Sequence, residues 1–170
     1  MIYVIDSFLT DEECDKYITE IDNKTKKYPF SNSALSENDK YVDTGLARSF
    51  YDKFISRIDL TDSKIIGPNK WIMTSKYNNG DEFGIHTDTG LCFDLVNNVY
   101  STHTVLIYLN DNFEGGETIF YDNYFKETTR IKPKKGSLLI FSMDLFHKGS
   151  KVSGTKYWIG CEFVSSECLC

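Results

Sequence analysis

No part of the 170-residue sequence approaches the run of ~20 consecutive apolar residues that a membrane-crossing helix needs. The opening MIYVIDSFLTDEE has no basic segment ahead of an apolar one, so no secretory leader is expected. Basic runs are scarce. KTKK at 24–27 and KPKK at 132–135 are short and turn-like, net charge is −6 and the isoelectric point is near 5.1. A nucleic-acid backbone is therefore not the expected partner. Five cysteines, Cys14, Cys92, Cys161, Cys168 and Cys170, are odd in number and irregular in spacing. A reducing, intracellular and cytoplasmic setting fits that best. The terminal CLC is not a prenylation box, because Cys168 stands third from the end, and it reads as a frayed tail. Histidine is scarce too, with three in the whole chain.

What is abundant is aromatic side chain: 12 Phe, 11 Tyr and 2 Trp, enough with the aliphatics to fill the core of one domain. FLTDEECDKYITEI reads as a helix start, with Thr10 and Glu13 forming a capping box and Cys14, Tyr17, Ile18 and Ile21 at helical spacing. A polar loop is expected over about 28–43. TGLARSFYDKFISRI is a second amphipathic helix with Leu46, Phe50, Phe54 and Ile58 on one stripe. After Pro68 come WIMTSKY, HTVLIYLN, ETIFYD, SLLIFS and KYWIGCEFV, divided by NNGD, NDNFEGG and KPKKG. These are short strands and turns. The expectation is a single mainly β domain over 1–170, with a helical part at about 1–67 packed on an antiparallel barrel or jelly roll at about 68–165.

FGIHTDTG, residues 83–90, sets His86 two residues before Asp88. On a strand, i and i+2 share a face, so an imidazole and a carboxylate would stand side by side. H-x-D alone is a weak pattern. A third ligand from a distant strand would make it a site, and the histidine candidates are His103 and His147. In STHTVLIYLN, Thr104, Leu106 and Tyr108 share one face while His103 takes the other. His147 follows the apolar strand SLLIFS. Two His and one carboxylate with open positions suit a non-haem Fe(II) oxygenase, whereas a structural zinc site closes all four positions, often with Cys. Lys156 enters the apolar strand KYWIGCEFV. It either snorkels to water or turns inward to meet an anion.

The segment YNNGDEFGIHTD, Tyr77–Asp88, resembles the Y-x-x-G-x-x-F-x-x-H-x-D stretch of the prolyl 4-hydroxylase-like Fe(II)/2-oxoglutarate dioxygenases. TVLIYLNDNFEGGETIF at 104–120 resembles the strand, turn and strand that follow there. IKPKKGSLLIF, the histidine at 147 and GTKYW at 154–158 resemble the closing portion. The likeness runs in order over roughly residues 70–165, and IDSFLTDEECDKYI resembles the family's start. It implies a double-stranded β-helix of the jelly-roll or cupin-like kind, with His86, Asp88 and His147 as iron ligands. It implies Lys156 as the cation for the distal carboxylate of 2-oxoglutarate, with Tyr108 beside it. Tyr77 would lie near the cosubstrate's metal-bound end, and Thr104, on the face of Tyr108, is a further candidate for cosubstrate binding. Gly115 and Gly116 are expected to serve a turn needing positive φ.

The implied cofactors are Fe(II), 2-oxoglutarate and O2, with ascorbate as a reductant. The implied reaction is hydroxylation of an unactivated C–H, first of all in a prolyl residue of a peptide, with release of succinate and CO2. Two readings compete with it: an oxygenase for a free amino acid or other small molecule, and a non-catalytic cupin-like metal-binding or sensor module. The insert TGLCFDLVNNVYS, at 89–101, matches no substrate motif, and oligomeric state is left open. Arg130 is the alternative cation should Lys156 not face an anion.

Overall fold

The computed structural model describes residues 1–24, 37–58, 64–88, 92–94 and 99–166. In chain order the elements are β1 (Ile2–Ile5), α1 (Asp11–Asn23), β2 (Glu37–Val42), α2 (Thr44–Ile55), β3 (Ile65–Tyr77), β4 (Phe83–His86) and β5 (Cys92–Asp94). There follow β6 (Val99–Tyr108), β7 (Glu114–Gly115), β8 (Thr118–Tyr121), β9 (Glu127–Ile131), β10 (Leu138–Ser142), β11 (Phe146–Gly149), β12 (Val152–Ser153) and β13 (Lys156–Ser165). The capping box forms: Glu13 N–H donates to Thr10 Oγ1 at 3.2 Å and Thr10 N–H to Glu13 Oε2 at 2.8 Å. Asp43 caps α2 by accepting from Leu46 N–H at 2.9 Å.

Antiparallel pairing builds a seven-stranded sheet in the order β1-β10-β6-β13-β3-β2, with β5 on β6, and a four-stranded sheet in the order β4-β11-β8-β9. Strand β6 explains why the domain has three layers. Its alternate residues are apolar on both faces, as a strand covered on both sides requires. Val105 and Ile107 join Phe8, Phe50, Phe54 and Phe163 in the core under the helices. Leu106 and Tyr108 face the other way and meet Phe120, Leu139 and Phe141 between the sheets. This is the jelly-roll arrangement, with helices outside the large sheet and a cavity between the two sheets.

Three expectations are revised. The loop expected at about 28–43 contains β2, which pairs with β3 from Glu37↔Lys76 to Val42↔Trp71. ENDKYV lies at the end of the sheet path and is too polar to read as a strand. β1 joins β10 through Ile2↔Phe141 to Ile5↔Leu138, so the large sheet draws strands from the N-terminal part as well. β6 begins at Val99, inside the 89–101 insert. Of that insert, residues 89–91 and 95–98 lie outside the described residues, as do the terminal Cys168 and Cys170, part of the 28–43 loop and most of KTKK. Cys14 and Cys161 are free and buried. KPKK is the exposed turn expected, and two of its lysines are ion-paired: Lys134 with Asp6 at 2.7 Å and Lys135 with Asp15 at 2.6 Å. Among the described residues, no helix is long and apolar enough to cross a membrane.

Candidate metal centre and anion pocket

The small sheet carries two imidazoles on facing strands. His147 of β11 is the register partner of His86 of β4, with ring centroids 4.2 Å apart. β4 ends at His86, so Asp88 is just beyond the strand rather than within it. The chain still returns the Asp88 carboxylate to His86: Asp88 Oδ1 is 3.3 Å from His86 Nε2 and Oδ2 is 3.7 Å from His147 Nε2. One ligand atom from each of the three lies within 4.8 Å of the others.

The other ring nitrogen of each histidine is held by backbone. His86 Nδ1 donates to Gly84 O at 2.8 Å and His147 Nδ1 to Leu145 O at 3.0 Å. That tautomer leaves both Nε2 lone pairs directed at the carboxylate, the outer-shell pattern of metal-binding histidines. Burial pushes Asp88 up, but His86, His147 and the Thr104 hydroxyl together hold its carboxyl below the usual range. Burial likewise lowers His147, against the pull of Asp88. A carboxylate and a neutral imidazole are the forms that bind a cation. Thr104 Oγ1 donates to Asp88 Oδ2 at 2.5 Å and fixes its orientation. Thr104 thus meets the carboxylate, a contact across 16 residues of sequence that no local pattern signals.

His103 lies elsewhere. It pairs with Phe163 in register and bonds Thr102 Oγ1 at 2.9 Å, away from the three. Burial and the nearby N-terminal ammonium push it down to about 4. Arg130 is on the surface with Glu127 and Glu117, outside the cavity.

Between the sheets is a cavity of about 710 Å³ that reaches His86, Asp88 and His147 on one wall and Lys156 on another. Lys156 is only 3 % exposed, so it turns inward rather than snorkelling. Its ammonium donates to Gly116 O at 2.7 Å and lies 5.3 Å from the ring centres of both Tyr77 and Tyr108. Among the described residues it has no ion-pair partner. Burial lowers it to about 7, with only distant Glu117 pulling the other way. A buried ammonium with one carbonyl acceptor and two aromatic faces, and no carboxylate beside it among the described residues, could meet an incoming anion.

Tyr108 is fully buried and exchanges a 2.7 Å hydrogen bond with Thr118 Oγ1. Thr118 and the Gly116 carbonyl are two parts of this end that the sequence reading missed. Gly116 has φ 68° and Gly115 φ 71°, as the turn requires. A Cβ at Gly116 would also stand 3.2 Å from the Lys156 stem, so this glycine leaves room for the lysine.

The sequence profile of the 2OG-Fe(II) oxygenase superfamily matches residues 72–161. The chain belongs to that superfamily. It is 27 % identical over 175 residues to prolyl 4-hydroxylase 2 of Arabidopsis thaliana, covering 82 % of this chain and 55 % of the plant protein. It thus spans about half the length of that relative. Among solved structures it resembles the viral collagen prolyl hydroxylase of Paramecium Bursaria Chlorella virus-1 in complex with 2OG, at 26 % identity and TM-score 0.67, over 96 % of this chain and 94 % of that one. A Trichoplax adhaerens prolyl hydroxylase, solved with a peptide fragment from hypoxia inducible factor, shares the fold at TM-score 0.70 and 21 % identity, over 96 % and 83 % of the two chains.

Proposed function

We propose that this superfamily member is a prolyl hydroxylase: a dioxygenase dependent on Fe(II) and 2-oxoglutarate that acts on a prolyl residue in a peptide. The observation that carries the reading is one cavity holding two kinds of binding group, the His86, Asp88 and His147 donors and the buried Lys156 ammonium. The donor set fits Fe(II): two imidazoles and one carboxylate would hold the ion from one side and leave the other to the cavity. Bound together with 2-oxoglutarate and O2, the iron would supply the oxidising chemistry, in which 2-oxoglutarate becomes succinate and CO2 and one oxygen atom enters the substrate C–H.

The chain's own residues bind and orient. Gly84 O and Leu145 O hold the two imidazoles in the metal-binding tautomer. Thr104 holds Asp88. Lys156 would take the distal carboxylate of 2-oxoglutarate, steered by the Tyr77 and Tyr108 faces. Leu106, Phe141 and Trp158 line the cavity with apolar surface and exclude water from the reacting centre. A peptide substrate fits the likeness to the Trichoplax protein, which was solved with a peptide. The buried free thiols of Cys14 and Cys161 suit a reducing, intracellular setting. Ascorbate belongs in the assay as the reductant.

The test is mass spectrometry of proline-containing peptides, and of free amino acids in parallel, after incubation with Fe(II), ascorbate and 2-oxoglutarate. A gain of one oxygen atom on proline, matched by succinate, is the expected result. Peptides left unmodified while a free amino acid gains the oxygen would overturn the peptide assignment. No 2-oxoglutarate consumption under any condition would overturn the enzyme.

A further inference from the structure

A second carboxylate faces the cavity, and neither the metal donors nor the anion end uses it. Glu162 lies on β13 as the register partner of Thr104 on β6. Neighbouring strands are about 4.8 Å apart and Thr104 also bonds Asp88, so Glu162 stands within roughly 10 Å of Asp88, on the wall that carries Lys156. Its side chain is 15 % exposed. One oxygen is fully engaged: Oε2 accepts from Ser101 Oγ at 2.7 Å and from Asn69 Nδ2 at 3.0 Å. Ser101 and Asn69 are buried, and Asn69 Nδ2 also reaches Ser101 Oγ at 3.2 Å. These neutral donors orient the carboxylate without cancelling its charge. The other oxygen, Oε1, has Lys40 Nζ at 3.8 Å, too far for a hydrogen bond, and the Lys40 side chain is 48 % exposed. A loose, half-exposed pair of this kind is worth little and is easily exchanged for a better one.

A carboxylate held rigidly in the partly buried cavity wall, with one oxygen fixed and the other only loosely paired, is built to receive a cation. We propose that Glu162 sets substrate specificity by pairing with the cationic nitrogen of a basic residue next to the prolyl residue that is hydroxylated. This rests on the prolyl hydroxylase reading above and names the class of peptide. The separation from Asp88 fits a neighbouring side chain: roughly 10 Å spans an extended residue at ~3.3 Å together with part of a lysine or arginine stem. Lys40 then acts as a placeholder that the substrate cation displaces.

The competing account is purely structural, with Glu162 a hub joining β3, β6 and β13 through Asn69 and Ser101. Loss of a hub would change stability and would lower activity on all peptides alike. It would not change the ratio between a charged and an uncharged peptide.

The experiment therefore measures a ratio. The probes are blocked peptides with proline followed or preceded by lysine, and the same peptides with norleucine, which keeps the stem and drops the charge. Peptide binding is read by tryptophan fluorescence, since Trp158 lines the cavity, and hydroxylation by mass spectrometry. Free lysine and free proline are run alongside to distinguish a cation within a peptide from that of a free amino acid. The expected result is a preference for lysine over norleucine of about tenfold in affinity and in kcat/KM. Glu162→Gln should bring that ratio to about one, and Lys40→Met should raise it severalfold by removing the competitor. Glu162→Lys should reverse the preference towards a peptide carrying glutamate. A ratio near one in the wild-type protein, or one that persists in Glu162→Gln, would overturn the proposal while leaving the prolyl reading intact. Absence of oxygen addition to any peptide would overturn that reading first. Recognition of free lysine alone would overturn the peptide form of the proposal.

Discussion

At the scale of single residues, the proposed metal centre depends on orientation as much as on ligand identity. His86→Ala or His147→Ala should abolish Fe(II) binding and 2-oxoglutarate turnover. His103→Ala, placed on the far face of β6 with Thr102, should leave both near wild type. Equal loss in all three, measured by metal titration, would show that the ligand set is misassigned. Asp88→Asn retains size but loses charge and should weaken metal binding at least tenfold, by the same titration. Thr104→Val removes the donor to Asp88 Oδ2 at nearly constant shape. Such outer-shell changes typically cost about 10- to 100-fold in metal affinity, and the low end is expected here because His86 still contacts the carboxylate. An unchanged metal affinity in Thr104→Val would mean that the hydroxyl is a passenger. His86 and Asp88 were legible in the sequence because two residues of extended chain bring them together. Thr104 was legible only as a residue on the cavity face, not as the partner of Asp88, and Thr118 and Glu162 were not legible at all, because each acts through partners that only the tertiary fold brings close.

At the scale of elements, legibility followed local signal. α1 announces itself by Thr10 and Glu13, and α2 by the stripe containing Phe50 and Phe54, because helix signals lie within a few residues of one another. β2 has no such signal: its stability comes from hydrogen bonds to β3, and a polar edge strand needs no alternation. Strand β13 shows how tightly an element can be specified from outside itself. A Cβ at Gly160 would stand 1.9 Å from the Val105 carbonyl oxygen of β6, a backbone atom that cannot move aside cheaply. Gly160→Ala should therefore destabilise the protein by more than about 3 kcal/mol and disturb Lys156 on the same strand. Gly67→Ala, on β3 with nothing within 4 Å of its new methyl, should change stability by less than about 0.5 kcal/mol. Urea unfolding of the pair checks this, and equal effects would contradict the register of β13 on β6.

At the scale of the whole molecule, the proposed role of Lys156 would link cosubstrate binding and stability through one proton. In the free protein, burial lowers this ammonium from 10.5 to about 7. Because the folded value lies below the unfolded one, the folded chain gives up the proton first. The stability tied to this group is full above the unfolded value and is lost as pH falls through about 7. The free protein should therefore gain stability on going from pH 7 towards 10. If Lys156 takes the distal carboxylate of 2-oxoglutarate as proposed, binding of 2-oxoglutarate should have the opposite dependence, since that carboxylate needs the charged ammonium. Above pH 7 the cosubstrate must bring a proton with it, and its apparent affinity should fall by up to about tenfold per pH unit. Asp88 and His147 are both held below their ordinary values, so they have lost their protons before this window and do not obscure it. The measurement is the rise in Tm on adding 2-oxoglutarate, with Mn(II) in place of oxidisable iron, at pH 7, 8 and 9. The rise should be largest at pH 7 and shrink steadily. Lys156→Met should bind 2-oxoglutarate about tenfold to a hundredfold more weakly, the value of roughly 1.5–3 kcal/mol for a hydrogen bond to a charged group, and with no slope across the window. Lys156→Arg, charged throughout, should also lose the slope while keeping part of the affinity, because its planar fork needs more room than an ammonium. A wild-type Tm rise that is flat from pH 7 to 9 would mean that the anion is not held by Lys156.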